Sequence, residues 1–581
     1  MNTMNVSERR EFLRALAAMG GIGVLNGCTV VRNPEPVCPN SPEVSGPSTT
    51  LTIDTHCHVF NGSDLQVAEF VNRILGSEGG LIGAGAKAIA PTLQRVAWNT
   101  ALSGAAERAV LRDLSDSLKS CSPGAKVARI GQVRNVAFQA AVKELKRAVD
   151  ATPEMQAVRE KRGPMAVEPK GPYESERAQI IDEVERLQGI TVESYRELLA
   201  EKGKKSASGI VAFVLQKLQY RYVSVHDYLD TYNQEGAPRF IDLMLPSLVD
   251  FDYWLADGKP TITSLPDQVA VMESISIATG GRVHSMVPFD PLKQVAFDLK
   301  QTTSNPLELV RDAIENRGFI GVKLYPPMGF APYGNADLPR DLWDQEWLKR
   351  FGRRTDLGAR LDDAMARLYR WCEKNEVPIM AHSGISNGPI RKFRELAGSK
   401  YWAIALREFK GLRINFGHFG DSDLGVGNCS ADCKARGLMA LMGNGPDAPG
   451  RNAYADAGYF IEGLSGTPGV KEVLKKLYAE SNPGQAPLST RFMYGTDWDM
   501  TLQQGKEAVG SFLRNFETLF QEIEAQPAVK SQGNHDLAAK FFGGNAVEWI
   551  GLRPGQRARL RLDKFYTANG VALPDWAKKV V

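Results

Sequence analysis

The sequence predicts an α/β protein built around a (β/α)8 TIM barrel, and three observations support this prediction. Short apolar segments with turn residues at their ends recur along the chain after residue 50. Helical patterns fill most of the gaps between them, which is typical of parallel strands joined by crossover helices. The segments number eight, which favours a closed barrel over the alternative, an open doubly wound sheet.

The predicted strands follow one another along the whole chain. The first strand is residues 51–53, with the sequence LTI directly before Asp54. Seven more strands are predicted at 240–248, 281–289, 319–325, 377–382, 412–418, 452–460 and 491–497. Apolar residues at three- and four-residue spacing predict helices at 305–317, 358–375, 469–480 and 506–525. This alternation assigns residues 51–60 and 239–555 to the barrel.

One gap is far longer than a connection between a strand and a helix needs, because residues 61–238 separate the first two strands. Helical patterns at 88–114, 135–150, 174–188 and 191–202 lie inside it. We interpret residues 61–238, called below the β1–β2 segment, as a helical cap inserted in the first βα loop. Such loops open on the catalytic face of a barrel. An independent interaction domain is the alternative.

The first 50 residues have the composition of a targeting segment and a tether. Arg9 and Arg10 precede a weakly apolar stretch, and LNGC, ending at Cys28, is similar to a lipobox. We therefore predict a twin-arginine or lipoprotein signal at 1–28 and a flexible linker at 29–50. The protein is expected to be exported, as a periplasmic protein or as a lipoprotein attached to the membrane through lipidated Cys28. Residues 556–581 are predicted to form a C-terminal extension.

The net charge bears on the expected partner, and the cysteine spacing bears on a local disulfide. A net charge of +3 over 581 residues gives no electrostatic basis for binding nucleic acid, so the expected partner is a small-molecule substrate. Cys429 and Cys433 stand four residues apart and predict a local disulfide or two loop thiols. A zinc ligand pair is the alternative, although no second cysteine or histidine pair lies nearby to complete a structural site.

Histidines stand at the ends of the predicted strands, although the chain holds only seven. His56 and His58 follow the first strand, and residues two apart on a strand point the same way. His382 closes the fifth strand and His418 the sixth, while Asp497 closes the eighth. In a barrel these ends converge, so imidazoles and a carboxylate would meet around a divalent ion, Zn²⁺, Mn²⁺ or Fe²⁺.

These motifs, in this order, resemble the amidohydrolase superfamily. The branch that includes aminocarboxymuconate semialdehyde decarboxylase is the most similar one, through the runs GFIGVKLYPPMGF at 318–330 and FFGGNAVEWIGL at 541–552. The resemblance covers the barrel and leaves out the β1–β2 segment. It implies that His56, His58, His382 and Asp497 bind the first metal ion, which we expect to be Zn²⁺, with one or two ions per chain.

The resemblance also implies catalytic roles. Asp497 would act as the general base, and His418 would bind a second metal or stabilise negative charge on the substrate. Lys323, inside the fourth strand, has three open interpretations. It could be carboxylated and join the metal ligands, it could stay cationic and bind a substrate carboxylate, or it could pair with an acid such as Asp54 or Asp290.

Weaker candidates lie around this set. Tyr325 follows the lysine and is predicted to line the substrate pocket. Asp456 and Arg451 could contact substrate, and the alternative for both is an ordinary strand or loop role. His284, within the third strand, could face the barrel interior or serve only in packing.

Three functions follow from the sequence. The first is a metal-dependent hydrolase that uses metal-activated water on an ester, lactone or amide carbonyl. The second is a non-oxidative decarboxylase of an unsaturated or aromatic acid with the same ligands. The third is a non-catalytic surface lipoprotein that binds a partner through the helical cap, and the complete set of candidate ligands argues against it.

Overall fold

The structure is a computed structural model, and it describes most of the chain after residue 49. The described residues are 50–73, 94, 97–98, 101–118, 123–162, 172–191, 207–232, 239–352, 356–384, 386, 388–420, 429, 433–460, 468–498, 500, 506–531 and 535–580. The predicted signal with Arg9, Arg10 and Cys28 lies outside them, as does the linker apart from Thr50, so export and lipidation stay predictions. Within the described ranges, the helices lack the combination of length and hydropathy that a membrane span requires.

A strand forms in each of the eight segments where the sequence predicts one. The strands are β1 Ile53–Cys57, β2 Leu243–Pro246, β3 Met286–Pro288, β4 Gly321–Leu324, β5 Pro378–His382, β6 Arg413–Gly417, β7 Ala453–Asp456 and β8 Phe492–Met493. The prediction for β1 was too short, because the strand continues through Asp54, Thr55 and His56. These polar residues are fully buried and find their partners in neighbouring elements, so an apolar run alone could not mark the end of the strand.

All ladders between these strands are parallel. β3 to β8 pair in chain order, and β1 pairs with β2. Isolated parallel bridges join Met244 to Val283 and Ser247 to Met286, on the side of β2 that faces β3. A further bridge joins Cys57 to Trp498, just after β8, and the Thr55 N–H donates to the Tyr494 carbonyl at 3.1 Å. The protein is therefore α/β with parallel strands in sequence order.

The described parts of the β1–β2 segment are helical. The helices are α1 Val67–Arg73, α2 Gly104–Leu118, α3 Pro123–Asp150, α4 Pro153–Arg162, α5 Pro172–Arg186, α6 Ala207–Leu218 and α7 Arg221–Tyr232. α3 to α6 share an apolar core of their own, which includes Phe138, Met155, Ile181 and Leu215. The predicted helices at 135–150 and 174–188 fall within α3 and α5 to two residues. The predicted helix at 88–114 coincides with α2 from Gly104 onward, and most of its first part, 88–103, lies outside the described residues. All of the predicted helix at 191–202 except Thr191 also lies outside them.

Helices also follow the later strands, as the alternation predicts. They are α8 Asp252–Leu255, α9 Leu265–Ala278, α10 Pro291–Asp298, α11 Pro306–Asn316, α12 Leu357–Asn375, α13 Ser399–Glu408, α14 Lys434–Met439, α15 Pro468–Ala479, α16 Lys506–Glu524, α17 Pro527–Ser531, α18 Leu537–Ala539, α19 Asn545–Ile550, α20 Arg557–Asn569 and α21 Asp575–Lys579. A π-helix, Lys540–Gly544, joins α18 to α19. Cys429 and Cys433 form a disulfide just before α14.

Separate apolar clusters cover different parts of the strands. The largest lies between the strands and their flanking helices. A second cluster joins the first residues of the strands, such as Ile53 and Met286, to α19, α20 and α21 through Trp549, Leu562 and Trp576. Residues 556–580 thus pack against the amino ends of the strands, which leaves the carboxyl ends to the polar residues described next.

Candidate metal centre

Three of the predicted ligands lie together at the carboxyl ends of the strands. His56 is the fourth residue of β1, His58 follows this strand, and Asp497 follows β8. The Asp497 Oδ1 atom lies 3.5 Å from the His56 Nε2 atom and 3.3 Å from the His58 Nε2 atom. Ligand atoms about 2.1 Å from one tetrahedral ion are separated by roughly 3.4 Å. The three groups are buried and fit a common divalent ion.

Hydrogen bonds on the far side of the two imidazoles fix which nitrogen faces this centre. The His58 Nδ1 atom lies 3.0 Å from the Ser247 carbonyl oxygen, which can only accept, so Nδ1 carries the proton. The His56 Nδ1 atom lies 2.9 Å from Asp456 Oδ1, and the same oxygen accepts the His418 N–H. The carboxylate therefore acts as an acceptor. With Nδ1 protonated, the Nε2 atom of each ring carries the lone pair, as metal ligands require.

Next to this arrangement, His418 and His382 form a chain of hydrogen bonds that begins at the Gly458 carbonyl oxygen. The Gly458 carbonyl oxygen lies 3.1 Å from the His418 Nδ1 atom and accepts its proton. The His418 Nε2 atom therefore accepts, at 3.0 Å, from the His382 Nδ1 atom. This leaves the His382 Nε2 atom with a lone pair. Among the described residues, Nε2 of both His382 and His56 is buried without a hydrogen-bond partner.

His382 stands beside the cluster rather than within it. In the described part of the chain, the candidate ligand atoms that all lie within 4.8 Å of one another come from His56, His58 and Asp497 alone. The His382 ring centroid lies 4.4 Å from that of His418, which lies 4.5 Å from that of His56. His418 reaches the site as predicted, but both its ring nitrogens hydrogen bond to protein atoms. Its predicted roles toward metal or substrate stay predictions.

Two glycines permit the close approach of backbone to His56. A Cβ atom at Gly458 would stand 2.5 Å from the His56 Nδ1 atom, and one at Gly417 would stand 3.0 Å from its Cε1 atom. Real Cβ atoms do not approach a ring so closely without displacing it. The imidazole is therefore held on its edges by backbone from β6 and β7, in the position that Asp456 also selects.

Asp497 occupies an unusual backbone conformation. Its φ angle is +56°, in the left-handed region that residues other than glycine seldom adopt. Its N–H donates to the His56 carbonyl oxygen at 2.7 Å, and the Thr496 N–H donates to the same oxygen at 3.1 Å. Strain of this kind persists where surrounding contacts hold it in place, and such positions cluster at functional sites.

Burial sets the charge state of the site. Burial, and then the positive charge of Lys323 and the neighbouring histidine His418, hold the pKa of His56 well below its usual value. Burial also lowers the pKa of His382, followed by the influence of His418 and Lys323. Neutral imidazoles are the form that binds a metal ion. Burial raises the pKa of Asp456, and hydrogen bonds and His418 oppose this effect.

Lys323 is buried in β4 beside the cluster. Burial lowers its pKa to about 8, and the charges of Asp497 and Asp456 act in the opposite direction. Its Nζ atom lies 2.8 Å from the Met380 sulfur. Among the described residues, Lys323 forms no ion pair, so the pairing with Asp54 or Asp290 that one interpretation required is wrong. Those two carboxylates bond elsewhere, as Asp290 does with the Trp254 indole N–H.

Of the two predicted substrate contacts, Tyr325 lies beside the candidate metal centre and Arg451 does not. The Tyr325 ring lies 4.6 Å from that of His382, and its hydroxyl hydrogen bonds to Ser386, so it stands at the wall of the site. Arg451 lies before β7, at the amino end of the strand. Its guanidinium donates to the Pro446 carbonyl oxygen. The structure does not bring Arg451 to the carboxyl ends, because the strand between them spans Ala453–Asp456.

Two carboxylates matter more than the sequence indicated. Asp456, weighed only as a substrate contact or an ordinary strand residue, instead orients His56. Asp54 accepts the His56 N–H and three further donors, although burial raises its pKa to about 7. One signal was available for Asp54, which stands two residues before His56 and therefore on the same side of β1. Nothing in the sequence linked Asp456 to His56.

Comparisons with known proteins give distant likenesses. No protein-family model matches the chain, and no curated protein matches its sequence. Among solved structures, it is similar to an amidohydrolase from Burkholderia multivorans with bound HEPES, at 10% identity and a TM-score of 0.29, over 53% of this chain and 83% of that one. It is also similar to a 2,6-dihydroxybenzoate decarboxylase from Rhizobium, at 12% identity and a TM-score of 0.31, over 56% and 87%.

A third similar structure is a 5-carboxyvanillate decarboxylase from Novosphingobium aromaticivorans with bound manganese and a nitrobenzoic acid derivative. It shows 12% identity and a TM-score of 0.32, over 62% of this chain and 92% of that one. At such distances the likenesses do not indicate which reaction this chain catalyses. One of these similar structures is an amidohydrolase, a member of the superfamily that the histidine motifs resemble.

Proposed function

We propose that this protein is a metal-dependent enzyme that acts on a carbonyl or carboxyl group of a small molecule. The observation that supports this most is that the buried Nε2 atoms of His56 and His382 find no hydrogen-bond partner among the residues that the structure describes. A buried polar atom without a partner costs free energy, and a divalent ion supplies the missing partner. His56, His58 and Asp497 would hold the ion, and His382, which stands beside this cluster, would become the fourth ligand if its ring moved toward the ion. Zn²⁺ suits this donor set, and Mn²⁺ or Fe²⁺ are the alternatives.

Hydrolysis of an ester, lactone or amide is the first reaction that the site supports. A bound divalent ion would lower the pKa of water and polarise the substrate carbonyl. Asp497 would accept a proton from the attacking water and deliver it to the leaving group. His418 hydrogen bonds to His382 through its Nε2 atom. With that hydrogen bond replaced by one to the substrate, His418 would stabilise negative charge on the substrate oxygen.

Non-oxidative decarboxylation is the second reaction, and Lys323 favours it. The buried Lys323 ammonium, without an ion-pair partner in the described residues, is suited to binding a substrate carboxylate. Tyr325 would line the adjoining wall against an unsaturated or aromatic acid. If Lys323 is instead carboxylated, it would join the metal ligands and a second ion would be bound.

We further propose that the eight strands close into a barrel and that the β1–β2 segment is an insertion over its catalytic face. The bridges on either side of the β1–β2 pair support closure. So do the hydrogen bonds from Thr55 to Tyr494 and from Asp497 to His56. A barrel of this kind is where carboxyl ends of β1, β5 and β8 would meet around one ion.

The experiment that tests this proposal is elemental analysis of the purified protein, followed by assays with ester, lactone, amide and aromatic acid substrates. We expect one or two divalent ions per chain and loss of turnover on chelation. Release of CO₂ identifies decarboxylation, and release of an acid without CO₂ identifies hydrolysis. Protein that binds no divalent ion at micromolar concentration would refute the proposal and leave the non-catalytic binding function.

A further inference from the structure

The carboxylate of Asp54 hydrogen bonds both to β1, which carries His56, and to the turn after β8, which carries Asp497. Its Oδ1 atom accepts the His56 N–H at 3.0 Å and the Thr496 N–H at 3.2 Å. Its Oδ2 atom accepts the Thr496 hydroxyl at 2.6 Å. Asp54 therefore fixes the backbone at one metal ligand and the residue directly before another.

Thr496 carries this constraint across the strained turn. Its hydroxyl oxygen accepts the Trp498 N–H at 3.0 Å while it donates to Asp54. The residues on both sides of Asp497 are thus held by one hydrogen-bonded unit, and Asp497 itself has the positive φ angle described above. Loosening this unit would let the turn relax and move the Asp497 carboxylate away from the two imidazoles.

The fourth donor to Asp54 comes from the β1–β2 segment. The Tyr228 hydroxyl, on α7, donates to Asp54 Oδ2 at 2.6 Å, although the two residues are 174 positions apart. The Tyr228 side chain is fully buried. Its ring lies 5.6 Å from that of Trp498 and 4.9 Å from that of Tyr232. α7 therefore contacts both the carboxylate and the turn after β8.

Buried ion pairs fix α7 in this position. Arg221, its first residue, donates to Asp64 at 2.9 Å and to Glu107 at 2.7 Å, and all three side chains are buried. Asp64 follows the first strand and Glu107 lies on α2. A buried guanidinium with two carboxylates is costly to break, so the helix that presents Tyr228 is held rigidly against the strand that carries His56.

We propose that Tyr228 is a positioning residue of the metal centre, so that the β1–β2 segment contributes to metal binding itself. The inference rests on the proposed function, because it concerns the same ligands. It differs from a cap that only roofs the pocket and from an independent interaction domain. Either of these would leave metal affinity unchanged when a hydroxyl on α7 is removed.

The test compares Tyr228→Phe with Tyr494→Phe in the full chain. Both substitutions delete one hydroxyl from a fully buried tyrosine, but the Tyr494 hydroxyl has no hydrogen-bond partner in the described residues. Competition with a chelating dye measures the dissociation constants for Zn²⁺ and Co²⁺, and the visible spectrum of the Co²⁺ protein reports ligand geometry. Partners one step beyond the ligands typically change metal affinity about 10- to 100-fold.

We expect Tyr228→Phe to weaken Co²⁺ binding about tenfold and to shift the Co²⁺ spectrum, with Tyr494→Phe within twofold of the wild type. The melting temperature of the metal-free protein should fall in Tyr228→Phe, which loses a buried hydrogen bond, and change little in Tyr494→Phe. The increase on adding metal should shrink only in Tyr228→Phe. Equal affinities and spectra in wild type and Tyr228→Phe would overturn the inference. Failure of the wild type to bind metal would overturn the proposed function instead.

Asp54→Asn completes a double-mutant cycle with Tyr228→Phe. Asn keeps the size of the side chain but replaces one acceptor oxygen by a donor that faces the Tyr228 and Thr496 hydroxyls or the backbone N–H groups. We expect its metal affinity to fall as well, and the double variant to lose less than the sum of the two single losses, because both act through one unit. Additive losses would show that Tyr228 acts independently of Asp54 and would contradict the inference.

Discussion

Buried histidines at the carboxyl and amino ends of the strands differ in whether both of their ring nitrogens have hydrogen-bond partners. At the carboxyl ends, His56 and His382 each have one nitrogen bonded and one buried without a hydrogen-bond partner in the described residues. Near the amino end of β3, His284 has both nitrogens bonded, to the Gly318 carbonyl oxygen and to the Tyr566 hydroxyl, each at 2.6 Å. All three imidazoles are held neutral by burial.

The difference separates a binding role from a packing role better than burial does. A fully bonded imidazole needs nothing further and stabilises the helix that covers it, in this case α20, which carries Tyr566. An imidazole with one open buried nitrogen can accept an additional partner. The carboxyl end therefore offers ring nitrogens to a ligand, whereas His284 offers none, and matched substitutions at the two ends should differ in their effect on metal content.

The largest expected effect comes from the same substitution at both ends. His56→Gln should lower metal occupancy below one tenth and reduce turnover by roughly 10³-fold, because it removes a ligand. His284→Gln should leave metal content and turnover within about twofold. Elemental analysis and steady-state assays measure both. Asp497→Asn should match His56→Gln, and circular dichroism verifies that each variant is folded.

Equal losses of metal in His56→Gln and His284→Gln would break the comparison, since they would indicate general unfolding. Full activity in His56→Gln or Asp497→Asn would show that the catalytic site lies elsewhere.

A smaller effect is expected when the partner of His56 is changed. Asp456→Asn replaces an acceptor with an amide that can turn its NH₂ group toward Nδ1, which favours the wrong tautomer. We expect metal affinity to fall about 10- to 100-fold while the protein remains folded. Competition with a chelating dye measures this change. An unchanged affinity would mean that the close approach of the Gly417 and Gly458 backbone holds His56 without the carboxylate charge.

The sequence was sufficient for the order of the strands and for the meeting of three candidate ligands. Apolar runs bounded by turns placed all eight strands, and histidines at their ends predicted that His56, His58 and Asp497 would meet. These predictions needed only the residue types and their positions. Histidine and aspartate side chains at the carboxyl ends of parallel strands come together at one end of the strands wherever those strands pair in order.

The parts that escaped prediction are contacts between distant segments. Asp456 lies 400 residues from His56 and Tyr228 lies 174 residues from Asp54, and no periodicity links either pair. Lys323 was weighed against two acids that proved to be occupied by other donors. Sequence patterns give the direction of a side chain along one element, whereas these partners depend on how elements pack together.

A pH-dependent effect on stability should appear at the amino end. Burial lowers the pKa of His284 from 6.5 to about 4, so the folded protein resists protonation that the unfolded chain accepts. The stabilisation from the neutral imidazole is complete above pH 6.5 and is lost as pH falls toward 4. The loss amounts to at most about 3 kcal/mol over this range.

His284→Gln removes this dependence and isolates it from other titrating groups. We expect the variant to be less stable than the wild type by about 1–3 kcal/mol at pH 7.5, through its lost hydrogen bonds. The gap should narrow by about 2 kcal/mol when the pH falls to 5. Urea denaturation at pH 7.5, 6.5 and 5 measures it. A gap that widens at low pH would contradict the sign of the pKa shift.

The smallest expected effect concerns Arg451, which the sequence placed among the substrate contacts. Its guanidinium lies before β7 and bonds the Pro446 carbonyl oxygen, on the side of the strands opposite to the histidines. Arg451→Ala should therefore leave kcat/KM within about twofold and change stability by less than about 1 kcal/mol. Tyr325→Phe, at the wall beside His382, is the matched comparison and should raise KM. A tenfold fall in kcat/KM for Arg451→Ala would mean that the amino end also reaches the substrate, and the division of roles between the two ends would fail.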